Sequence, residues 1–189
     1  MSNDERIGKH DQEDDYFHRR DRELIERMRK AAAAKDALGP LGAQSGIHDP
    51  DLLRDIADLG FTADTVSLLP LVPILQVAWA EGGITPAERK LIIDVARHRG
   101  IAEGSPADRQ LAEWLAHQPS PEVFSRGDRL VAAMLAAGSN ATHDLSADDL
   151  VKYCESIAAA SGGILGIGKV SAGERAAIEQ VQKALKGRA

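Results

Sequence analysis

One cysteine, Cys154, is the whole thiol content of this chain. That excludes a disulfide framework and a thiolate metal cluster. Aromatic residues make up only 4% of the chain, and no stretch of convincing length alternates with period two. Pleated sheets draw on aromatic and β-branched side chains, so their scarcity argues against a sheet core. Positive charge is short as well: 23 Lys+Arg stand against 29 Asp+Glu, a formal net charge of −6. Such a balance attracts no phosphate backbone at long range, so nucleic acid is not an expected partner. Long apolar runs are also missing. The longest, Val66 to Ala80, is interrupted by Pro70, Pro73 and Gln76, and it is shorter than the ~20 residues of a membrane span. The opening MSNDERIGKHDQEDD lacks the apolar segment of a signal peptide. These absences point to a soluble, cytoplasmic protein with no direct membrane insertion.

What is present is helical punctuation. Asp49-Pro50 places a capping side chain before a proline at the first helical position. Leu52, Leu53, Ile56 and Leu59 then share an apolar face, and Gly60 ends the segment. Four later sites carry Ser or Thr with an acid three positions on: Thr85/Glu88, Ser105/Asp108, Ser146/Asp149 and Ser171/Glu174. This is the capping-box spacing, in which two backbone N–H groups at a helix start are satisfied reciprocally. With Ser120-Pro121 as a fifth start, the spacing predicts helices over about 86–99, 106–117, 121–137, 147–160 and 172–186. A further helix leads to Glu81 and begins near Pro70, where proline breaks or kinks what precedes. The expected fold class is all-α: a compact bundle of about seven to eight helices.

At 189 residues the chain fits one domain with an appendage. Residues 1–38 read as a charged tail and helix, 39–48 as a linker opened by Gly39-Pro40, and 49–189 as the helical domain. In the N-terminal helix Phe17, Leu24, Met28 and Ala31 form a thin apolar stripe. It can pack on the body, pair with a partner or stand free.

The chain contains a repeat. Ala80-Glu81-Gly82-Gly83 is answered by Ala160-Ser161-Gly162-Gly163, 80 residues later (161 − 81). The restart Thr85-Pro86-Ala87-Glu88-Arg89 is answered by Ser171-Ala172-Gly173-Glu174-Arg175, with six extra residues in the second turn (171 − 161 against 85 − 81). A helix pair cannot bury its own apolar face, so two such pairs are expected to pack on each other. The helix stop and reversal at Gly82-Gly83 predicts a positive φ at one of the two glycines.

Few residues carry chemistry. Gly163 to Lys169 matches the first seven positions of a phosphate loop, but Val170 stands where magnesium needs Ser or Thr, and no strand precedes it. Nucleotide hydrolysis is not expected. Lys169 beside a helix start can hold an anion, or the loop is a glycine-rich turn that tucks Ile164, Leu165 and Ile167 inward. No two of the six histidines form H-x-x-x-H, and His98 sits where a helix C-terminus welcomes positive charge. Cys154 reads as a buried inert thiol, and Trp79 and Trp114 as core anchors. No nucleophile–base arrangement is discernible, so no enzyme is expected. The acids at the turns remain: Glu81 and Glu88, with Asp148 and Asp149 adding charge, can serve a hard cation. Capping alone also accounts for Glu88 and Glu174.

The stretch AWAEGGITPAERKLI, with its second copy ASGG … KVSAGERAAI, resembles the repeated signature of the TerB-like tellurite-resistance family, A-x-A-D-G-x-[IV]-x-x-x-E-x-x-x-[IL]. The resemblance covers about residues 50–187. It implies a compact helical domain with approximate internal two-fold symmetry. By position it implies metal ligands at Glu81, Glu88, Ser161 and Glu174. The family's Asp is Glu81 in the first copy and Ser161, without charge, in the second. The implied cofactor is a divalent metal ion, with Ca²⁺, Mg²⁺ or Mn²⁺ favoured over Zn²⁺. The implied role is tellurite-type stress resistance beside a protein partner, membrane-associated in many members. A metal-free helical interaction module, adaptor or co-chaperone-like, is the alternative.

Overall fold

The computed structural model describes residue 20 and residues 23–29, 32–33, 36–142, 144–161 and 170–186, the side chain of Ser161 excepted. The chain divides into two units, Met1–Gly39 and Pro40–Ala189. In the first unit residues 23–29 are helical and expose Leu24, Ile25 and Met28 at 56%, 49% and 65%. The i,i+4 stripe expected here is present at Leu24 and Met28 and faces solvent. Phe17 and Ala31 lie outside the described residues.

The second unit is all-α, with no strand among its described residues. Residues 40–45 are helical (α1). Then come α2 (Pro50–Asp58), a 3-10 segment (Val66–Leu71), α3 (Val72–Ala78), α4 (Pro86–His98), α5 (Pro106–Ala116), α6 (Pro121–Ala136), a 3-10 turn (Asn140–Thr142), α7 (Ala147–Ser161) and α8 (Ala172–Lys186). The linker expected over 39–48 is therefore corrected. Gly39 and Pro40 are themselves helical, and Leu41, Ser45 and Ile47 are buried. The Ser45 hydroxyl donates to Leu41 O at 2.7 Å, and the Ser139 hydroxyl donates to Ser45 O at 2.6 Å. The helix runs through both residues, from at least Asp36 to Ser45.

The caps work as their chemistry requires. Asp49 accepts from the N–H groups of Asp51 and Leu52. Ser105 and Ser120 accept from Asp108 N–H and Val123 N–H. Reciprocal boxes close at Thr85/Glu88, Ser146/Asp149 and Ser171/Glu174. Asp108 departs from the box: its carboxylate accepts from Gly104 N–H at 2.8 Å and pairs with Arg97 at 2.6 Å.

The interior is built around α3. Six of its seven residues are buried, all but Gln76. Its most extensive contact is with α7, and α6 and α8 pack on it as well. The helix α4 leans more on α7 than on its own partner α3. The two pairs, α3–α4 and α7–α8, are thus interleaved, each second helix covering the other pair's first. On α6, Gly127 allows the closest approach: a Cβ there would lie 2.6 Å from Val72 Cγ1. No helix among the described residues is long and apolar enough to cross a membrane.

Candidate functional site

The two repeat turns supply the site. The helix α3 ends at Ala78, three residues before Glu81, so Glu81 does not end the helix as its spacing suggests. The chain reverses instead through Trp79 to Gly83. Ala80 N–H donates to Val77 O at 3.1 Å and Gly82 N–H to Trp79 O at 2.9 Å. Gly82 carries the expected positive φ, 81°. Trp79 is pinned from outside the turn, its Nε1–H donating to Trp114 O at 2.9 Å. Trp114 in turn meets Phe61 edge-on, with ring centroids 5.7 Å apart. Glu81 is exposed on this turn.

Five residues on from Glu81, α4 begins at Pro86. Glu88 Oε2 accepts from Thr85 N–H at 2.7 Å, and Thr85 Oγ1 accepts from Glu88 N–H at 3.3 Å. The second repeat repeats this: Glu174 Oε2 accepts from Ser171 N–H at 2.7 Å, and Ser171 Oγ from Glu174 N–H at 3.1 Å. Capping boxes ordinarily sit at solvent-facing helix ends. Here the interleaved packing draws both inside, leaving Glu88 2% and Glu174 1% exposed. The start of α8 rests on the first repeat's turn. A Cβ on Gly173 would lie 3.2 Å from Ala80 O.

Burial pushes the Glu88 carboxyl above its ordinary value. The hydrogen bonds from Thr85 work against that rise, and the negative charges of Glu174 and Glu81 add to it. Of the four residues predicted from the motif, Glu88 thus lies within electrostatic reach of Glu81 in its own repeat and of Glu174 in the other. The fourth, Ser161, ends α7, and its side chain lies outside the described residues. Among the described residues no three His, Cys, Asp or Glu side chains are gathered as a ready metal-ligand set. Asp148 and Asp149 are engaged elsewhere: Asp148 pairs with Lys186 at 2.5 Å, and Asp149 closes its box with Ser146 and lies 3.8 Å from Lys152.

The remaining candidates separate cleanly. Cys154 is fully buried, and burial pushes its thiol up to about 12, which suits an inert core residue. His98 lies in the last turn of α4, as its spacing predicts. His10, His18, His143 and the Gly163–Lys169 loop lie outside the described residues. One residue without a sequence motif stands out. Asp128 on α6 is 2% exposed and its Oδ1 accepts no hydrogen bond among the described residues. Set against known protein families, curated proteins and solved structures, the chain matches none.

Proposed function

We propose that residues 49–189 are a non-enzymatic TerB-like domain that takes a divalent cation where its two repeats meet, in stress resistance of the tellurite type. The observation supporting this reading is the reach of Glu88, whose carboxyl feels both Glu81 and Glu174, the latter 86 residues on (174 − 88). Carboxylate oxygens are the donors hard cations take, which favours Ca²⁺, Mg²⁺ or Mn²⁺ over Zn²⁺. Mg²⁺ usually keeps several waters and uses only one or two protein carboxylates. Glu88 and Glu174 suffice for that, with Glu81 at the rim. The cation would supply positive charge between two buried carboxyl groups that meanwhile hold the starts of α4 and α8. Calorimetric titration and thermal unfolding of the full chain with millimolar Ca²⁺, Mg²⁺ and Mn²⁺ test the reading. Binding and a rise in Tm are expected, both lost in Glu88→Gln and weakened in Glu81→Gln. A Tm unmoved by every ion would sink it.

A second reading, a metal-free interaction module of adaptor or co-chaperone type, is favoured by the exposed Leu24, Ile25 and Met28. Large apolar side chains grouped in solvent commonly mark a protein contact. Crosslinking in whole cells should then capture a protein, membrane-associated by this reading, with the wild type and lose it with Leu24→Asp/Met28→Asp.

A further inference from the structure

Asp128 belongs to none of the sites described so far, and its surroundings are set by packing. The helix α6 is pressed onto α3 because Gly127 presents no side chain to Val72, where a Cβ would come within 2.6 Å of Cγ1. The neighbouring Asp128 is carried inward with it, to 2% exposure, and its Oδ1 has no hydrogen-bond partner among the described residues. Ionised, a carboxylate so placed would keep one buried oxygen without the hydrogen bond that should replace its lost water. A neutral carboxyl tolerates the same position far better.

Among the described residues the elements around it offer no compensating charge. The helix α3 has no ionisable side chain, and its Gln76 Oε1 is likewise buried without a partner among the described residues. The 3-10 segments Val66–Leu71 and Asn140–Thr142 have none either. From α2, Asp55 pairs with Arg126 at 3.3 Å, and Asp58 also acts on that arginine. On α8 the buried ionisable group is Glu174, while Arg175, Glu179, Lys183 and Lys186 are exposed. On α6 itself Glu122 and Arg129 are exposed. The helix α7 presents Cys154, whose thiol is pushed up first by burial and then by Asp128. Burial alone drives the Asp128 carboxyl up to about 7.

We propose that Asp128 is a proton-operated latch on α6: neutral, it lets the helix seat against α3; ionised, it draws the helix toward water and loosens that seat. The sign follows from linkage. The folded-state value lies above the unfolded one, about 7 against 3.8. The contribution to stability is therefore fully present below about 4, falls as pH rises toward 7, and is gone above it. The latch opens toward neutral and alkaline pH and closes in acid.

Thermal unfolding of the full chain and of Asp128→Asn, followed from pH 4 to pH 8.5, tests this. The wild-type Tm minus the variant Tm should fall by roughly 3–5 °C per pH unit between about 4 and 7 and stay level above. A difference that does not change with pH overturns the proposal. Should the variant fail to fold, the wild type labelled with ¹³C at aspartate carboxyls decides. An Asp128 signal titrating near pH 7 supports the latch, and one titrating in the ordinary carboxylate range overturns it. Hydrogen exchange supplies the conformational arm. After correction for intrinsic rates, α6 amides should lose protection between pH 5 and pH 8 in the wild type and keep it in Asp128→Asn. Equal protection in both rejects the loosening.

Discussion

The two repeats carry the same signals and are used differently. In the first, α3 is seven residues long with six of them buried. In the second, α7 is fifteen residues long and buries one stripe, among them Leu150, Val151, Cys154, Ile157 and Ala158. Stepping by the repeat offset of 80 residues (161 − 81) puts Ile74 opposite Cys154 and Val77 opposite Ile157, all fully or nearly fully buried. The restarts match bond for bond, Thr85/Glu88 against Ser171/Glu174. One copy has become the centre of the body and the other its wall, without altering how either second helix begins. Capping is a local transaction among four residues, whereas depth of burial depends on how many neighbours a helix acquires.

The largest test of that asymmetry is Ile74→Ala. It should cost ~2–5 kcal/mol, because a buried isoleucine leaves a cavity that a rigid centre cannot collapse. Cys154→Ala at the equivalent position should cost only about 1 kcal/mol, since a small side chain is removed. Urea unfolding midpoints compare the two, and equal costs would mean that the repeats are equally central.

Next comes the first turn. Gly82→Val should cost ~1–2 kcal/mol, for valine is strained at φ 81°. Gly83→Val should stay within about 0.5 kcal/mol. Gly83 has no positive φ, and a Cβ there meets nothing within 4 Å. Two near-zero changes would remove the tight turn as the reason for these glycines.

Thr85→Ala and Ser171→Ala should each cost ~1 kcal/mol. The double variant should deviate from the sum, because the glutamates these caps hold lie within reach of each other. Strict additivity would show the two helix starts to be independent.

The smallest signal is chemical. With its thiol pushed up to about 12, native Cys154 should react negligibly with a disulfide reagent at pH 8 and fully once unfolded. Rapid labelling of the native protein would show that α7 opens at the wall of the body.

How much was legible in the sequence follows from the range of each interaction. The helices after Asp49, Thr85, Ser105, Ser120, Ser146 and Ser171 were readable because N-caps act within three or four residues. Gly82 was readable because reversing a helix demands a left-handed residue. The end of the first repeat's helix was misplaced, since nothing local separates Ala78 from Glu81, and Gly39-Pro40 was mistaken for a stop. At the site, Glu88 and Glu174 could be named one by one, but their shared burial could not. A capping glutamate looks the same in sequence whether its helix start faces water or the interior. Asp128 left one faint trace, an acid set beside the stripe of Val123, Gly127 and Val131 on α6.

The sequence by itself determined that this chain is helical, where most of its helices begin, and that one unit is written twice, because each of these rests on neighbours along the chain. Only the tertiary structure decided which copy lies at the centre and that the second repeat's start rests on Ala80. It also decided that a carboxyl on α6 is shut away from water. Those outcomes depend on groups some 50 to 90 residues apart, and no local pattern encodes the packing that brings them together.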